Sequence, residues 1–112
     1  GAIKTRGNQG IDLEFEGVAD DAASVALAEA KRSPGLGSLK VDSQGIRQGS
    51  VDFFQTRAAA AGRTDIARAF ARDDVELFIA LQRSARLFKV NQAVFQRNAN
   101  FRSTPGAVTL VP

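Results

Sequence analysis

The sequence predicts an α+β fold: a short N-terminal sheet with a helix, followed by a predominantly helical C-terminal half with one long amphipathic helix. Residues 11–16 alternate apolar and acidic side chains, which is typical of a half-buried strand. Residues 38–42 alternate in the same way. From Thr64 to Asn98, apolar residues recur at steps of four and seven, which indicates a helix.

The chain of 112 residues is long enough for one domain, residues 1–112, with residues 1–10 and 99–112 as extended or flexible arms. Its 44% hydrophobic and 24% charged residues are ordinary for a soluble globular protein. No apolar run is long enough to cross a bilayer, so no membrane contact is predicted. Residues 107–111 follow a Pro-Gly turn and are a candidate third strand.

An Ala-rich segment is the first predicted helix. Two acids at Asp20-Asp21 precede it, and it ends with the cations Lys31-Arg32. Acids at the start and cations at the end match the dipole of a helix. Pro34 and Gly35 then end the helix, and the strand at residues 38–42 follows.

The segment that begins at Ser50 has two interpretations. Its first five residues could form a strand. A helix is favoured, because Ser50 is a good N-cap residue and residues 58–61 are four alanines. Gly62 follows them and suits the C′ position, where a left-handed conformation commonly ends a helix.

The longest predicted helix begins at the capping signal Thr64-Asp65. A single helix over residues 65–98 would be roughly 51 Å long at 1.5 Å per residue. That length exceeds the width of a compact domain of this size, whose radius of gyration is about 13 Å. Asp73-Asp74 is therefore the favoured break, which leaves residues 75–98 as the principal helix. Whether residues 65–98 form one helix or two stays open.

The composition argues against an enzyme. The chain has no His, Cys, Tyr, Trp or Met. Without His and Cys it lacks the side chains most used for proton transfer near neutral pH, for nucleophilic attack and for zinc binding. The sequence therefore predicts a protein that is not an enzyme, with no catalytic residue, no metal and no cofactor.

Charge is unevenly distributed along the chain. Residues 1–76 contain ten Lys or Arg and all twelve acids, whereas residues 77–112 contain five Lys or Arg and no acid. On a helical wheel, Leu77, Leu81 and Phe88 form one apolar stripe. A second apolar stripe lies beside the arginines, and a solitary surface helix does not need it.

The second stripe leads to the predicted function, a non-enzymatic structural, assembly or protein-interaction module that binds itself or a protein partner through its long basic helix. The alternative is a small basic nucleic-acid-binding domain that uses the same arginines. A third interpretation packs the second stripe inside the same molecule. The predicted partner-binding residues are Arg83, Arg86, Leu87, Val90, Val94 and Arg97.

Two groups of acids are candidate cation sites. Asp12, Glu14 and Glu16 alternate along the first strand and are predicted to be its solvated outer face. Asp73, Asp74 and Glu76 are predicted to cap a helix rather than to bind a metal.

Overall fold

The computed structural model describes residues 13–16, 25–97 and 104–112. In this part of the chain, five strands form one mixed sheet in the order β1-β2-β3-β4-β5. Two α-helices and a short 3₁₀ helix lie between the second and third strands. The elements are β1 (Leu13–Glu16), β2 (Val25–Lys31), the 3₁₀ helix (Leu36–Ser38), α1 (Val51–Ala60), α2 (Thr64–Ala71), β3 (Val75–Leu81), β4 (Arg86–Val90) and β5 (Val108–Leu110).

The two central strands, β2 and β3, are parallel, and the other neighbouring strands are antiparallel. A parallel pair needs a long crossover connection, which here carries both α-helices. The register pairs Lys31 with Leu81 across β2 and β3, and Leu81 with Arg86 across β3 and β4. The end of β2 and the start of β4 therefore lie at the same end of the sheet.

One face of the sheet forms the core against the two helices. Alternate residues of β3, from Val75 to Leu81, are all buried on this face. Burying a Leu, Ile or Phe side chain contributes about 1.5–3 kcal/mol each, so this layer is the main source of stability. The helices and the connecting segment supply the opposite side of the layer, with Phe53, Phe54, Ala58, Ile66, Ala69 and Phe95.

The prediction of a helical C-terminal half with one long amphipathic helix is wrong. Residues 75–90 form the antiparallel pair β3 and β4, joined by a four-residue turn at residues 82–85. Leu77 and Leu81 are four apart, and a step of four returns to the same face of a strand as well as of a helix. Because β3 is central and its outer face carries Phe78 and Ala80 beside the single charged residue Glu76, its sequence lacks the clean alternation that identifies a half-buried strand.

The predicted helix ending at Lys31-Arg32 is also wrong, because residues 25–31 form β2. Alanine favours a helix by less than about 1 kcal/mol per residue over most other residues. That preference is outweighed here, since β2 pairs with β1 on one side and β3 on the other. Residues 17–24, where this helix was predicted to begin, lie outside the described residues.

Several local predictions are confirmed. The Ser50 hydroxyl accepts a hydrogen bond from Phe53 N at 3.2 Å and caps α1, and Gly62 follows the end of α1 with φ +69°. The helix that starts at Thr64 ends before Asp73-Asp74, as favoured, although a strand follows it. The strands predicted at residues 11–16 and 107–111 are present as β1 and β5. The strand predicted at residues 38–42 is reduced to an isolated bridge between Val41 and Arg47.

The predicted arms are described only in part. Residues 1–10 lie outside the described residues. Of residues 99–112 the structure describes 104–112, and Val108–Leu110 pair with β4. Within the described residues, no helix has the length and apolar character needed to cross a membrane.

Candidate functional site

Two ionisable residues of β2 lie on the face of the sheet that forms the core. Strand alternation places Leu27, Glu29 and Lys31 on one face, and Leu27 is fully buried in the core. The register partners of Glu29 and Lys31 on β3 are the buried residues Ile79 and Leu81. Glu29 is only 8% exposed, and carboxylates are rarely so buried unless they are paired or functional. A departure of this kind from the apolar pattern is expected at functional sites.

Gln48 holds the Lys31 ammonium group in place. Lys31 Nζ donates a hydrogen bond to Gln48 Oε1 at 3.0 Å. The same oxygen accepts a hydrogen bond from the backbone N of Lys40 at 3.2 Å. An ammonium group has three donors, and in the described part of the chain this is the one hydrogen bond of Lys31 Nζ. Donors therefore remain for a ligand. We call Glu29, Lys31 and Gln48 the Gln48 cluster.

Gly49 allows the segment that carries Gln48 to lie directly on the sheet. A Cβ atom on Gly49 would be 2.6 Å from Ile79 Cδ1, and Gly49 has φ +87°. Ile79 is the β3 neighbour of Glu29. Glycine is suited to both the close approach and the left-handed backbone. The contact brings residues 48–50 over the same part of the sheet as Glu29.

A short hairpin, residues 40–48, projects next to the Gln48 cluster. Its two ends are joined by Gln48 N, which donates to Lys40 O at 2.9 Å. At its tip, Asp42 Oδ1 accepts hydrogen bonds from Gln44 N at 2.8 Å and Ile46 N at 3.0 Å. The aspartate therefore stabilises the turn in the manner of an Asx turn.

The C-terminal ends of β2 and β3, with the turn that follows β3, form what we call the Lys31 end of the sheet. Gln82 N donates to Lys31 O at 2.8 Å, which attaches that turn to β2. The backbone N of Arg47 donates to Arg97 O at 2.7 Å, which adds Arg97 to the hairpin. The exposed cations at this end are Arg32, Lys40, Arg83, Arg86 and Arg97.

These five cations make no ion pair with a carboxylate of the described residues. The two nearby aspartates are engaged by backbone groups instead. Asp42 accepts from the hairpin, and Asp52 Oδ1 accepts from Arg97 N at 2.7 Å. A concentration of exposed positive charge attracts anionic ligands. The Lys31 end therefore combines a buried carboxylate, a positioned ammonium group and an exposed cationic surface.

The opposite end of the sheet, which we call the Asp73 end, has an open pocket of about 380 Å³ lined by Asp73, Lys89, Asn91, Gln92 and Thr109, among others. Two ion pairs lie at this end: Lys89 Nζ is 3.7 Å from Glu76 Oε1, and Arg72 Nη2 is 3.6 Å from Asp74 Oδ2. Gln92 Nε2 donates to Val75 O at 2.6 Å and ties the loop after β4 to β3. These contacts hold the loops in place at the Asp73 end, so we assign this end a structural role.

The predicted partner-binding residues do not share one surface. Alternation places Leu87 on the opposite face of β4 from Arg86 and Val90. Val90 is 3% exposed and belongs to the core, whereas Leu87 is 38% exposed. The three arginines, Arg83, Arg86 and Arg97, are separated from the apolar residues and lie at the Lys31 end, and Val94 lies in a turn that packs on the core.

The two predicted acidic groups are described only in part. Asp12 lies outside the described residues, and Glu14 is in register with Leu27 on β2. Asp73 and Asp74 do not begin a helix but end α2, since Asp74 N donates to Ala69 O at 2.8 Å. In residues 13–16, 25–97 and 104–112, no group of three acidic side chains could hold a metal ion.

The sequence interpretation missed Glu29 and Lys31 because it placed them in a helix. Only in a strand does a spacing of two put both on one face with Leu27. Gln48 was missed because its role depends on a contact with Lys31, 17 residues earlier in the chain. The usable signal was the apolar alternation of Val25 and Leu27, which a carboxylate at Glu29 and an ammonium group at Lys31 interrupt.

No protein-family model, curated protein or solved structure matches the chain.

Proposed function

We propose that this protein hydrolyses phosphodiester bonds in nucleic acid at the Gln48 cluster. The observation that carries the proposal is the placement of Glu29 and Lys31 on the core face of a central strand. The exposed cations around them are suited to an anionic substrate. Nucleic acids are polyanions, and phosphate contacts with Lys and Arg supply most of their non-specific affinity for proteins.

Water is the nucleophile in this proposal. The chain has no Cys and no His, and Ser50 is buried with its hydroxyl capping α1. Oxygen of water forms a bond to phosphorus, and the bond from phosphorus to the leaving oxygen breaks. The Glu29 carboxylate takes the proton from water and returns it to solvent, and the leaving oxygen gains a proton from solvent.

The Lys31 ammonium group stabilises the negative charge that develops on the phosphate oxygens. Such stabilisation is effective when the donor is held in place before the reaction. Gln48 provides this, because its oxygen accepts from both Lys31 Nζ and Lys40 N. Gln48 is thus a positioning residue, and Lys31 is the residue proposed to touch the substrate.

A divalent cation would supply a water of lowered pKa when it is bound beside Glu29. Carboxylate oxygens are the ligands that Mg²⁺ prefers. One carboxylate is a weak site, and no group of three acidic side chains among the described residues could hold a metal ion.

The test is cleavage of plasmid DNA, linear duplex DNA and single-stranded RNA, each with Mg²⁺, with Mn²⁺ and with a chelator. Glu29→Gln and Lys31→Gln are expected to lower the cleavage rate by about 100-fold or more, as for loss of a general base or charge stabiliser. Glu76→Gln and Lys89→Gln are the matched controls, because they remove an acid and a cation at the Asp73 end. Circular dichroism and the thermal midpoint establish that each variant is folded.

Two results would contradict the proposal. One is that the wild-type protein leaves all three nucleic acids intact under every condition. The other is that Glu29→Gln cleaves as fast as the wild type. If the wild type binds nucleic acid but does not cleave it, the basic surface supports the second candidate function, a nucleic-acid-binding domain without catalysis.

A further inference from the structure

We infer that the Lys31 end holds several consecutive phosphates of a polynucleotide, with one group of cations on the hairpin side and another on the turn after β3. This inference rests on the proposed function and deepens it. The hairpin group is Lys40 and Arg97, and the turn group is Arg83 and Arg86. The substrate is therefore a polymer rather than a mononucleotide or a dinucleotide.

The hairpin group is linked to Lys31 through Gln48. Gln48 Oε1 accepts hydrogen bonds from both Lys31 Nζ and Lys40 N, at 3.0 and 3.2 Å. The ammonium group of the proposed site and the base of the hairpin therefore share one acceptor. A phosphate at Lys31 would have Lys40 as its neighbour along the surface.

The turn group is linked to Lys31 through the sheet. Arg86 is in register with Leu81, and Leu81 is in register with Lys31. Two strand spacings, about 9.5 Å in total, separate the backbones of Lys31 and Arg86. Arg83 lies in the turn whose first residue, Gln82, donates to Lys31 O at 2.8 Å. The long arginine side chains reach over this distance, so one strand of nucleic acid contacts both groups.

Arg97 is held in a conformation that local sequence does not favour. It has φ +50°, which a non-glycine residue rarely adopts. Two backbone contacts impose this conformation: Arg97 N donates to Asp52 Oδ1, and Arg97 O accepts from Arg47 N, both at 2.7 Å. The Arg97 side chain is left exposed.

Asp42 and Asp52, the two aspartates near these cations, accept hydrogen bonds from backbone N–H groups of the hairpin and of Arg97. The four cations of the two groups have no described carboxylate partner, whereas Arg72 and Lys89 at the Asp73 end each have one. Phosphate binding at the Lys31 end therefore requires no ion pair of the described residues to break.

The experiment measures binding of fluorescent single-stranded oligonucleotides of two, four, eight and sixteen nucleotides at several salt concentrations. It compares Lys40→Gln/Arg97→Gln, Arg83→Gln/Arg86→Gln and the control Arg68→Gln/Arg72→Gln, which removes two cations of α2 and its C-terminus. For the wild type, affinity is expected to rise with length. For the two test variants, the slope of log K against log salt is expected to fall by about 0.7 for each phosphate that the variant no longer neutralises. The control should keep the wild-type slope.

Cleavage is measured on the same oligonucleotides. The test variants are expected to raise KM on the sixteen-nucleotide substrate while kcat stays within about twofold, because they remove binding away from the reacting phosphate. Equal cleavage of the dinucleotide and the longest oligonucleotide by the wild type would overturn the inference and leave the proposed function standing. Unchanged salt slopes in both test variants would do the same. A wild type that neither binds nor cleaves would overturn both.

Discussion

The two ends of the sheet treat charge in opposite ways. At the Asp73 end, Lys89 lies beside Glu76 and Arg72 lies beside Asp74. At the Lys31 end, the cations are exposed, and the aspartates beside them, Asp42 and Asp52, accept backbone hydrogen bonds. The ion pairs at the Asp73 end connect neighbouring residues of the fold to each other. The Lys31 end leaves positive charge for a ligand, so the ends differ in role although both are rich in Lys and Arg.

The two ends also differ in the residues on the core face of the sheet. On the core face, β3 is apolar from one end to the other, with Val75, Leu77, Ile79 and Leu81 all buried. β2 continues this pattern only as far as Leu27 and then has Glu29 and Lys31. Placing a carboxylate in an apolar layer reduces stability unless it is well paired. In the described strands β2 and β3, the ionisable residues of the core face lie toward the Lys31 end, where the proposed site lies.

The largest effect is expected from Gly49→Ala, which tests whether the Lys31 end depends on close packing over Ile79. The new Cβ would lie 2.6 Å from Ile79 Cδ1 on a backbone with φ +87°. Overpacking and the unfavourable φ together should lower the free energy of unfolding by about 2–4 kcal/mol. Urea unfolding measures the change. Displacement of Gln48 should also lower any cleavage activity.

Gly45→Ala is the matched control for this substitution. Gly45 also has a positive φ, +77°, but a Cβ there would meet no atom within 4 Å. Only the backbone term applies, so the expected decrease is about 1 kcal/mol. Equal decreases for Gly45→Ala and Gly49→Ala would contradict the close packing of residues 48–50 on the sheet.

A smaller effect distinguishes the two ends directly. Lys89→Gln removes an ion pair at the Asp73 end and should lower stability by less than about 1 kcal/mol, with a decrease that shrinks at high salt. Lys40→Gln removes a cation at the Lys31 end that has no described carboxylate partner. It should leave stability unchanged and weaken nucleic-acid binding. Thermal unfolding and oligonucleotide binding are measured for both variants. If Lys40→Gln lowers stability and Lys89→Gln weakens nucleic-acid binding, the two ends do not differ in the way proposed.

The smallest effect concerns Asp65 in the first turn of α2. The Arg63 guanidinium donates to this carboxylate and lowers the pKa of Asp65 from 3.8 to about 2. Because the pKa is lowered in the folded state, the charged form adds stability above pH 3.8, and the contribution is lost as pH falls through about 2. Asp65→Asn should therefore lower the thermal midpoint slightly at pH 7. The difference should shrink as pH falls toward 2, and a difference that keeps its pH 7 size there contradicts the assignment.

The association function predicted from the sequence stays a prediction. Its premise was a helix with two apolar stripes, and the structure has strands at those positions. Val90 is in the core, and Leu87 points away from Arg86. The alternative, nucleic-acid binding through the same arginines, is retained in the proposed function. The proposed hydrolysis departs from the prediction that the protein is not an enzyme, because it uses a carboxylate, an ammonium group and water in place of His or Cys.

Predictions from the local sequence were confirmed where a structural feature depends only on residues a few positions apart. Ser50 and Gly62 mark the ends of α1 through a hydrogen bond to residue 53 and a left-handed backbone, and both are encoded within a few residues. Asp73-Asp74 likewise marked the end of a helix. The candidate site was not predicted, since Lys31 and Gln48 are distant in the sequence and meet only in the folded chain.

By itself, the sequence determined the caps of α1, the break after α2 and the presence of strand-forming segments near both ends of the chain. Only the tertiary structure decided that residues 25–31 and 75–90 are strands. Alanine-rich and uniformly apolar segments have weak local preferences, and pairing on both edges of a central strand outweighs them. The same pairing places a carboxylate and an ammonium group side by side on the core face, where neither composition nor helical periodicity would locate them.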